Sequence, residues 1–423
     1  MWITIQQNPE AMTAFNENIL IPLKGKINIE LMKKAYEEVI KRHDILRTIK
    51  CDGKHFFIQD EMDIDIPVIS FNKGNSSDNN IVMQWIRDCN AVKINLKEDR
   101  PLRPYILEVS DESYIVFAVI HHLVADGWSI GVIQNEIIQI YLDLLSKKSI
   151  ELPKAKQFSD YTDWIQRKYT SQIGREAQQY WKSYFSEPLS PIKFEDIADN
   201  KDCFTENTNT YSLVLDEGFR SQLNELSKLQ NVSLFNIFLT AYSVLLYKIA
   251  NQSRFVINIP TSGQIKSKFI DLVGHCVKML PLYIDFDEKL TIKQFIQYIK
   301  ETFFQAYKYQ TFSINNVIEE LSSENKKCYL PKCNIAFNLD YVASSDTGSD
   351  VIQIDKNFLF YNEGNNKYDL FMDILDDENQ IYLKLEYNQE FFSRDCIENW
   401  ALQTKKILKC MMDSQDERKI TEL

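Results

Sequence analysis

The sequence predicts a mixed α/β (α+β) fold arranged as two lobes, and three observations lead there. Stretches with the 3.6-residue period of helices alternate with short β-branched runs along the whole chain. At 423 residues the chain exceeds what one ordinary hydrophobic core organises. The same mixture recurs on both sides of a polar, helical connector near residue 165, so residues 1–165 and 166–423 are assigned to successive lobes.

In the first lobe, Asn28 to His43 sets Leu31, Ala35 and Val39 beside Met32, Tyr36 and Ile40 on one helical stripe, behind an asparagine able to cap it. Ile45 to Lys50 and Phe56 to Gln59 read as strands around an Asp52-Gly53 turn. Asp78 to Cys89 reads as helix. Tyr114 to Ile120 is an unbroken apolar run rich in β-branched residues, as expected of a strand buried on both faces. Ser129 to Leu145 resumes a helical stripe through Ile130, Ile133, Ile137 and Tyr141.

The connector runs from Pro153 into a helical stretch over Tyr161 to Phe185. In the second lobe, strands are expected over 211–215, 255–259, 334–339, 368–375 and 381–387, with helices over 217–229, 233–250, 292–307 and 393–412. Gly74 to Asn80 and Ala343 to Asp350 are expected as loops.

Composition narrows the function. A balance of 48 Lys and Arg against 60 Asp and Glu gives a net charge of −12, unsuited to a phosphate backbone or an anionic bilayer; neither nucleic acid nor membrane is expected as a partner. Eleven glycines include no GxGxxG and no GxxxxGK[ST], so neither standard nucleotide cradle is present. The longest apolar stretch, Ser233 to Ala250, carries Asn236, Tyr242, Tyr247 and Lys248, which suits a buried helix better than a membrane span. Eight cysteines without a CxxC, behind an amino terminus lacking a basic and apolar leader, are expected to be free thiols in the cytoplasm.

The chemistry concentrates after the buried strand, in His121-His122-Leu123-Val124-Ala125-Asp126-Gly127-Trp128-Ser129. Two of the five histidines lie side by side at the end of a rigid central element, where a crevice is expected. Imidazole titrates near neutrality and suits general acid–base or positioning work. Asp126 either fixes this loop or serves as the acidic start of the following helix, and Ser129 is expected to be that helix's N-cap. No metal is expected, because the remaining histidines are distant in sequence and no cysteine cluster completes a ligand set. Gly127-Trp128-Ser129-Ile130-Gly131 matches GxSxG, but nine residues separate the strand from the serine, contrary to a nucleophile elbow.

The segment resembles the HHxxxDG signature of condensation domains of nonribosomal peptide synthetases, within the chloramphenicol-acetyltransferase-like superfamily. Further stretches are similar in the family's order. Arg42 to Thr48 resembles RHExLRT, and Tyr161 to Trp164 resembles the start of YxDYxxW. Val273 to Leu282 resembles GxxVNxLPLR, and Tyr309 to Ser313 stands where the family has HQDYPF. Departures are Met1-Trp2 as the remnant of the amino-terminal motif, Gln264 for a frequent arginine, Lys278 for asparagine, and a shortened Lys327 to Pro331 stretch.

The resemblance implies two chloramphenicol-acetyltransferase-like lobes in a V-shaped pseudo-dimer with a central tunnel. It implies an amide bond formed between a donor acyl thioester and the α-amine of an acceptor aminoacyl thioester. The domain itself would bind no cofactor; both substrates would arrive on 4′-phosphopantetheine arms of carrier proteins. His122, Asp126 and Gly127 are the expected catalytic set, the Gly127 N–H as an oxyanion donor. His121, Trp128, Ser129, Arg42, His43 and Arg47 are expected as support, with Trp128 in the core. His275, Gln264 and Gln310 are expected to line the tunnel, His275 as a packed histidine.

Ile130 after Ser129, where epimerisation relatives carry tryptophan, and the presence of both histidines favour condensation over epimerisation and heterocyclisation. Asp416 to Leu423 resembles a linker to an adjacent adenylation domain. Gly263-Gln264 and Gly274-His275-Cys276 resemble members that follow polyketide modules, implying a polyketide or β-amino acyl donor. Two alternatives remain: a freestanding acyl-CoA-dependent acyltransferase and a catalytically degenerate carrier-docking module.

Overall fold

The computed structural model describes residues 1–7, 9–61, 64–71, 79–185, 192–194, 207–264, 268–310, 335–341, 353–354, 368–377, 379–413 and 418–423. The elements are α1 (Trp2–Gln7), β1 (Asn16–Lys24), α2 (Ile29–Arg42), β2 (Thr48–Cys51), β3 (Phe56–Ile58), β4 (Val68–Ser70), α3 (Asn79–Asn90), β5 (Leu102–Ser110), β6 (Ser113–His121), α4 (Gly127–Leu145) and α5 (Phe158–Tyr169). They continue as α6 (Gln172–Tyr184), β7 (Thr208–Leu215), α7 (Glu217–Gln230), α8 (Leu234–Ala250), β8 (Arg254–Thr261), β9 (Lys278–Asp285), α9 (Ile292–Lys308), β10 (Ile335–Tyr341), β11 (Gln353–Ile354), β12 (Leu370–Asp376), β13 (Ile381–Asn388) and α10 (Arg394–Asp413).

The chain forms two compact units. The first holds Met1–Trp164, Gln264–Val277 and Ser344–Asn365; the second holds the remainder. A linear division at residue 165 therefore marks the first crossing, after which two short segments return to the first unit.

In the first unit the sheet runs β11-β1-β6-β5-β4. β6 lies at its centre, antiparallel to β1 and β5. Its alternate residues feed two cores. Val116, Ala118 and Ile120 pack among Met32, Tyr36 and Val39 of α2 and Ile133, Ile137 and Tyr141 of α4. Ile115, Phe117 and Val119 pack among Val82, Met83 and Ile86 of α3. This two-sided burial is why the strand carries no alternating polar residues. α2 starts where expected, the Asn28 side chain accepting the Leu31 N–H.

The second unit is a six-stranded sheet, β7-β13-β12-β10-β8-β9, with β10 parallel to β8 and β12 and the other pairs antiparallel. Its core takes Ile237, Phe238, Leu245 and Leu246 of α8 and Phe295 and Ile299 of α9. α8 is apolar because it is buried along most of its length. No single helix among the described residues is long and apolar enough to cross a membrane.

Several expectations shift. β1 and β5 were not anticipated, because β1 opens on Asn16-Glu17-Asn18 and contains Pro22, while β5 contains Arg103 and Pro104. β9, also unanticipated, contains Pro281. Asp44–Arg47 is a 3₁₀ turn, so the strand expected from Ile45 begins only at Thr48. The 161–185 helix divides into α5 and α6, the Ser171 side chain capping α6. Asn79 and Asn80 open α3, whereas residues 74–78 and 343–350 of the expected loops lie outside the described residues. The same holds for residues 311–313, 327–331, 416 and 417 of the quoted motifs. Cys51, Cys89, Cys276, Cys396 and Cys410 are free thiols.

Candidate active site

β6 delivers two adjacent histidines to opposite fates. The His121 ring is buried, 6.3 Å from and stacked on Phe15, and its Nδ1 accepts the Leu123 N–H at 3.1 Å. Neutral His121 therefore carries its proton on Nε2. The His122 ring is 15% exposed, and its Nδ1 lies 2.8 Å from the Ala125 carbonyl oxygen. A carbonyl can only accept, so Nδ1 carries hydrogen and Nε2 of neutral His122 presents the lone pair. The His122 backbone N–H donates to the Phe15 carbonyl, which ties this turn to the start of β1.

Two groups flank the His122 ring. His275 meets it edge to face, centroids 4.8 Å apart. Glu17 places Oε1 3.7 Å from Nε2 and is 24% exposed. The ladder explains this approach: Asn16 pairs with His121 and Glu17 with Ile120, so Glu17 points to the same sheet face as residue 122.

Asp126 is 2% exposed. Its Oδ1 accepts from the Ser129 N–H at 2.9 Å, from the Ser129 hydroxyl at 2.8 Å and from Gln264 Nε2 at 3.4 Å. Its Oδ2 accepts from the Cys276 and Val277 N–H groups at 2.8 and 2.9 Å. Asp126 is thus the N-cap of α4, and Ser129, expected in that role, sits a turn further in. The Ser129 oxygen accepts the Gly274 N–H at 3.0 Å and lies 2.8 Å from the Gly274 carbonyl, its alternative acceptor to Asp126. Ser129 is fully buried, which removes it as a nucleophile. Asp126 thus ties the start of α4 to the Cys276 and Val277 N–H groups of the Leu272–Val277 segment.

The returning segment is fixed from its other side by packing. A Cβ on Gly274 would fall 2.2 Å from the Phe158 ring, so glycine alone permits this approach. Tyr161 and Trp164 of α5 both pack on Phe269.

The remaining expected residues separate clearly. Gln264, expected to line the tunnel, is fully buried, with its Nε2 3.4 Å from Asp126 Oδ1. Trp128 is 40% exposed, not core, and donates its ring N–H to the Ile270 carbonyl. Gly127 opens α4, and a Cβ there would meet nothing within 4 Å. Gln310 belongs to the second unit, just after α9.

Arg42 and His43 converge on Glu136 of α4, Arg42 through two hydrogen bonds of 3.1 Å and His43 Nε2 at 2.8 Å. Burial pushes the Glu136 carboxyl up, and the hydrogen bonds from His43 and Arg42 outweigh it, holding its pKa below the ordinary value. Arg47 donates to the carbonyls of Ile40, Lys41 and Gln59. No metal-binding group of histidine, cysteine and carboxylate side chains occurs among the described residues.

Glu17 is the site residue that motif reading passed over. Its only signal is a charged side chain at the head of a strand that turns apolar two residues later.

The site thus offers an imidazole with one nitrogen fixed and the other presented, at the end of a central strand in a chain of two mixed sheet units. A condensation-domain family model matches residues 1–422, and the chain belongs to that family. Within nonribosomal peptide synthetases, such domains form amide bonds between carrier-bound substrates. The chain is 23% identical over 409 residues to bacitracin synthase 3 of Bacillus licheniformis, covering 96% of this chain and 6% of that relative. It is 24% identical over 425 residues to tyrocidine synthase 2 of Brevibacillus parabrevis, covering 96% of this chain and 11% of that relative. It therefore spans only a small part of the length of either.

The condensation domain of the monacolin K polyketide synthase MokA superposes with a TM-score of 0.81 at 18% identity, covering 96% of this chain and 94% of that one. Holo-AB3403, a four-domain nonribosomal peptide synthetase bound to AMP and glycine, gives a TM-score of 0.81 at 20% identity, over 100% of this chain and 33% of that one.

Proposed function

We propose that this chain condenses a donor acyl or peptidyl thioester with the α-amine of an acceptor aminoacyl thioester, both held on 4′-phosphopantetheine arms of carrier proteins. The observation that carries this reading is the His122 ring, held through Nδ1 on the Ala125 carbonyl with Nε2 presented. The setting would be the cytoplasm, beside carrier and adenylation domains of a larger synthetase.

The chemistry asks little of the protein. An α-amine with a pKa of about 7.7–8.0 is partly neutral at working pH. Alignment of two tethered reactants supplies roughly 7–11 kcal/mol of the barrier reduction. The amine attacks the thioester carbon; His122 Nε2 takes the proton released from nitrogen and returns it to the departing thiolate, contributing roughly 10²–10⁴-fold. The products are an amide and a free pantetheine thiol. The Gly127 N–H, in the first turn of α4, is the donor assigned to the developing oxyanion. Asp126, Ser129 and Gln264 hold this turn against the Leu272–Val277 segment.

The test is product formation, followed by mass spectrometry, from panels of donor and acceptor thioesters loaded on carrier proteins. The expected result is amide product with the native chain and a loss of roughly 10²–10⁴-fold with His122→Ala. Full-rate turnover by His122→Ala overturns the assignment. Turnover of free CoA thioesters without carriers would favour the acyl-CoA reading, and carrier binding without turnover the docking module.

A further inference from the structure

The mechanism leaves one charged group beside Nε2 unused. Glu17 Oε1 stands 3.7 Å from the nitrogen that exchanges the proton, and both side chains keep some solvent contact, 24% for Glu17 and 15% for His122. Asp126, by comparison, is 2% exposed, and both of its oxygens accept backbone N–H groups. Glu17 is held by strand register, through the Asn16–His121 and Glu17–Ile120 pairs, and not by a loop.

We propose that Glu17 is a second catalytic residue, which receives the acceptor's α-ammonium and sets it against His122. This rests on the condensation reading above. Of the two substrates only the acceptor carries a cation at its reacting atom; the donor thioester is neutral there. A carboxylate beside the base therefore recognises acceptor and not donor, and raises the local concentration of the amine where it must lose its proton. The ammonium gives one proton through Nε2 to solvent; the freed electron pair attacks the thioester carbon, Nε2 takes a second proton from the attacking nitrogen, and the C–S bond breaks. Imidazolium then protonates the thiolate, while Glu17 keeps its charge throughout and offsets that of the transient imidazolium.

The experiment compares binding of a stable alanyl-pantetheine analogue and its lactyl counterpart, which has hydroxyl for amine, to the native chain, Glu17→Gln and Glu17→Asp at pH 7. Glu17→Gln should weaken the alanyl analogue about fivefold to twentyfold and leave the lactyl analogue within about twofold, with Glu17→Asp between. The native preference for the amine should fall in high salt, and that of Glu17→Gln should not. Equal weakening of both analogues would make Glu17 structural and overturn the proposal, as would unchanged binding of the alanyl analogue. Turnover separates this from the reading beneath it. Loss with His122→Ala but none with Glu17→Gln removes only the role of Glu17, whereas full activity of His122→Ala removes the condensation mechanism itself.

Discussion

Replacing Asp126 with alanine should loosen one segment before it disturbs the rest of the chain. The carboxylate is the acceptor for the Cys276 and Val277 N–H groups, at 2.8 and 2.9 Å, and the Cys276 residue is itself buried. Leaving a buried donor unpaired costs about 1–3 kcal/mol, so the two together cost about 2–6 kcal/mol. Converted at 1.4 kcal/mol per decade, the opening that exposes these amides becomes roughly thirtyfold to twenty-thousandfold more frequent.

Amide hydrogen exchange at residues 274–277 reads this directly. Asp126→Asn should show an intermediate effect, because an amide can face either the 276–277 pair or Ser129 with its oxygen, but not both. Unchanged exchange at Cys276 and Val277 in the alanine variant would refute the assignment of Asp126 as the clamp. Acceleration spread evenly over the α3 amides would refute its local character.

Two further outcomes follow from the packing around the site. Gly274→Ala drives a methyl group to within 2.2 Å of the Phe158 ring and should lower stability by about 1–3 kcal/mol in thermal unfolding, with Phe158→Leu recovering part of the loss. Glu136→Gln removes the shared partner of Arg42 and His43 and should cost about 3 kcal/mol at neutral pH. The Glu136 carboxyl is held below its ordinary value of 4.5, so the stability it provides is fully present above 4.5 and is lost as pH falls through the lower folded value. Acid unfolding curves of the native chain and Glu136→Gln should therefore converge below that point.

Much of this was legible in the residues, for reasons that also mark where legibility stopped. The run Tyr114 to Ile120 announced a central strand because each residue there meets apolar atoms on one face or the other. The stripe of Asn28 to His43 announced α2, whose helical period survives intact. β1 and β5 stayed hidden because a strand with proline and charged residues lacks that signature, and its pairing is set by long-range ladder contacts. At the site, the paired histidines were visible as letters, but their opposite tautomers come from the Leu123 N–H and the Ala125 carbonyl, which no spacing encodes. The burial of Gln264 and Ser129 required the Leu272–Val277 segment to return to the loop, a contact across more than 130 residues of sequence. Trp128 was misplaced for the opposite reason: bulk and aromaticity argue for the interior, yet its ring N–H already has the Ile270 carbonyl to satisfy at the surface.

The two neighbouring imidazoles are consequently not spares for one another. Their chemical identity is the same, but one is an acceptor sealed beneath Phe15 and the other a donor on the Ala125 carbonyl. A single-residue deletion at Leu123 or Val124 would leave both histidines on the strand end but take the Ala125 carbonyl out of register with His122 Nδ1. Such a variant would keep both histidines and lose the contact that fixes the tautomer of one, so in degenerate copies of this domain the spacing after the strand is a better guide to competence than the presence of two histidines.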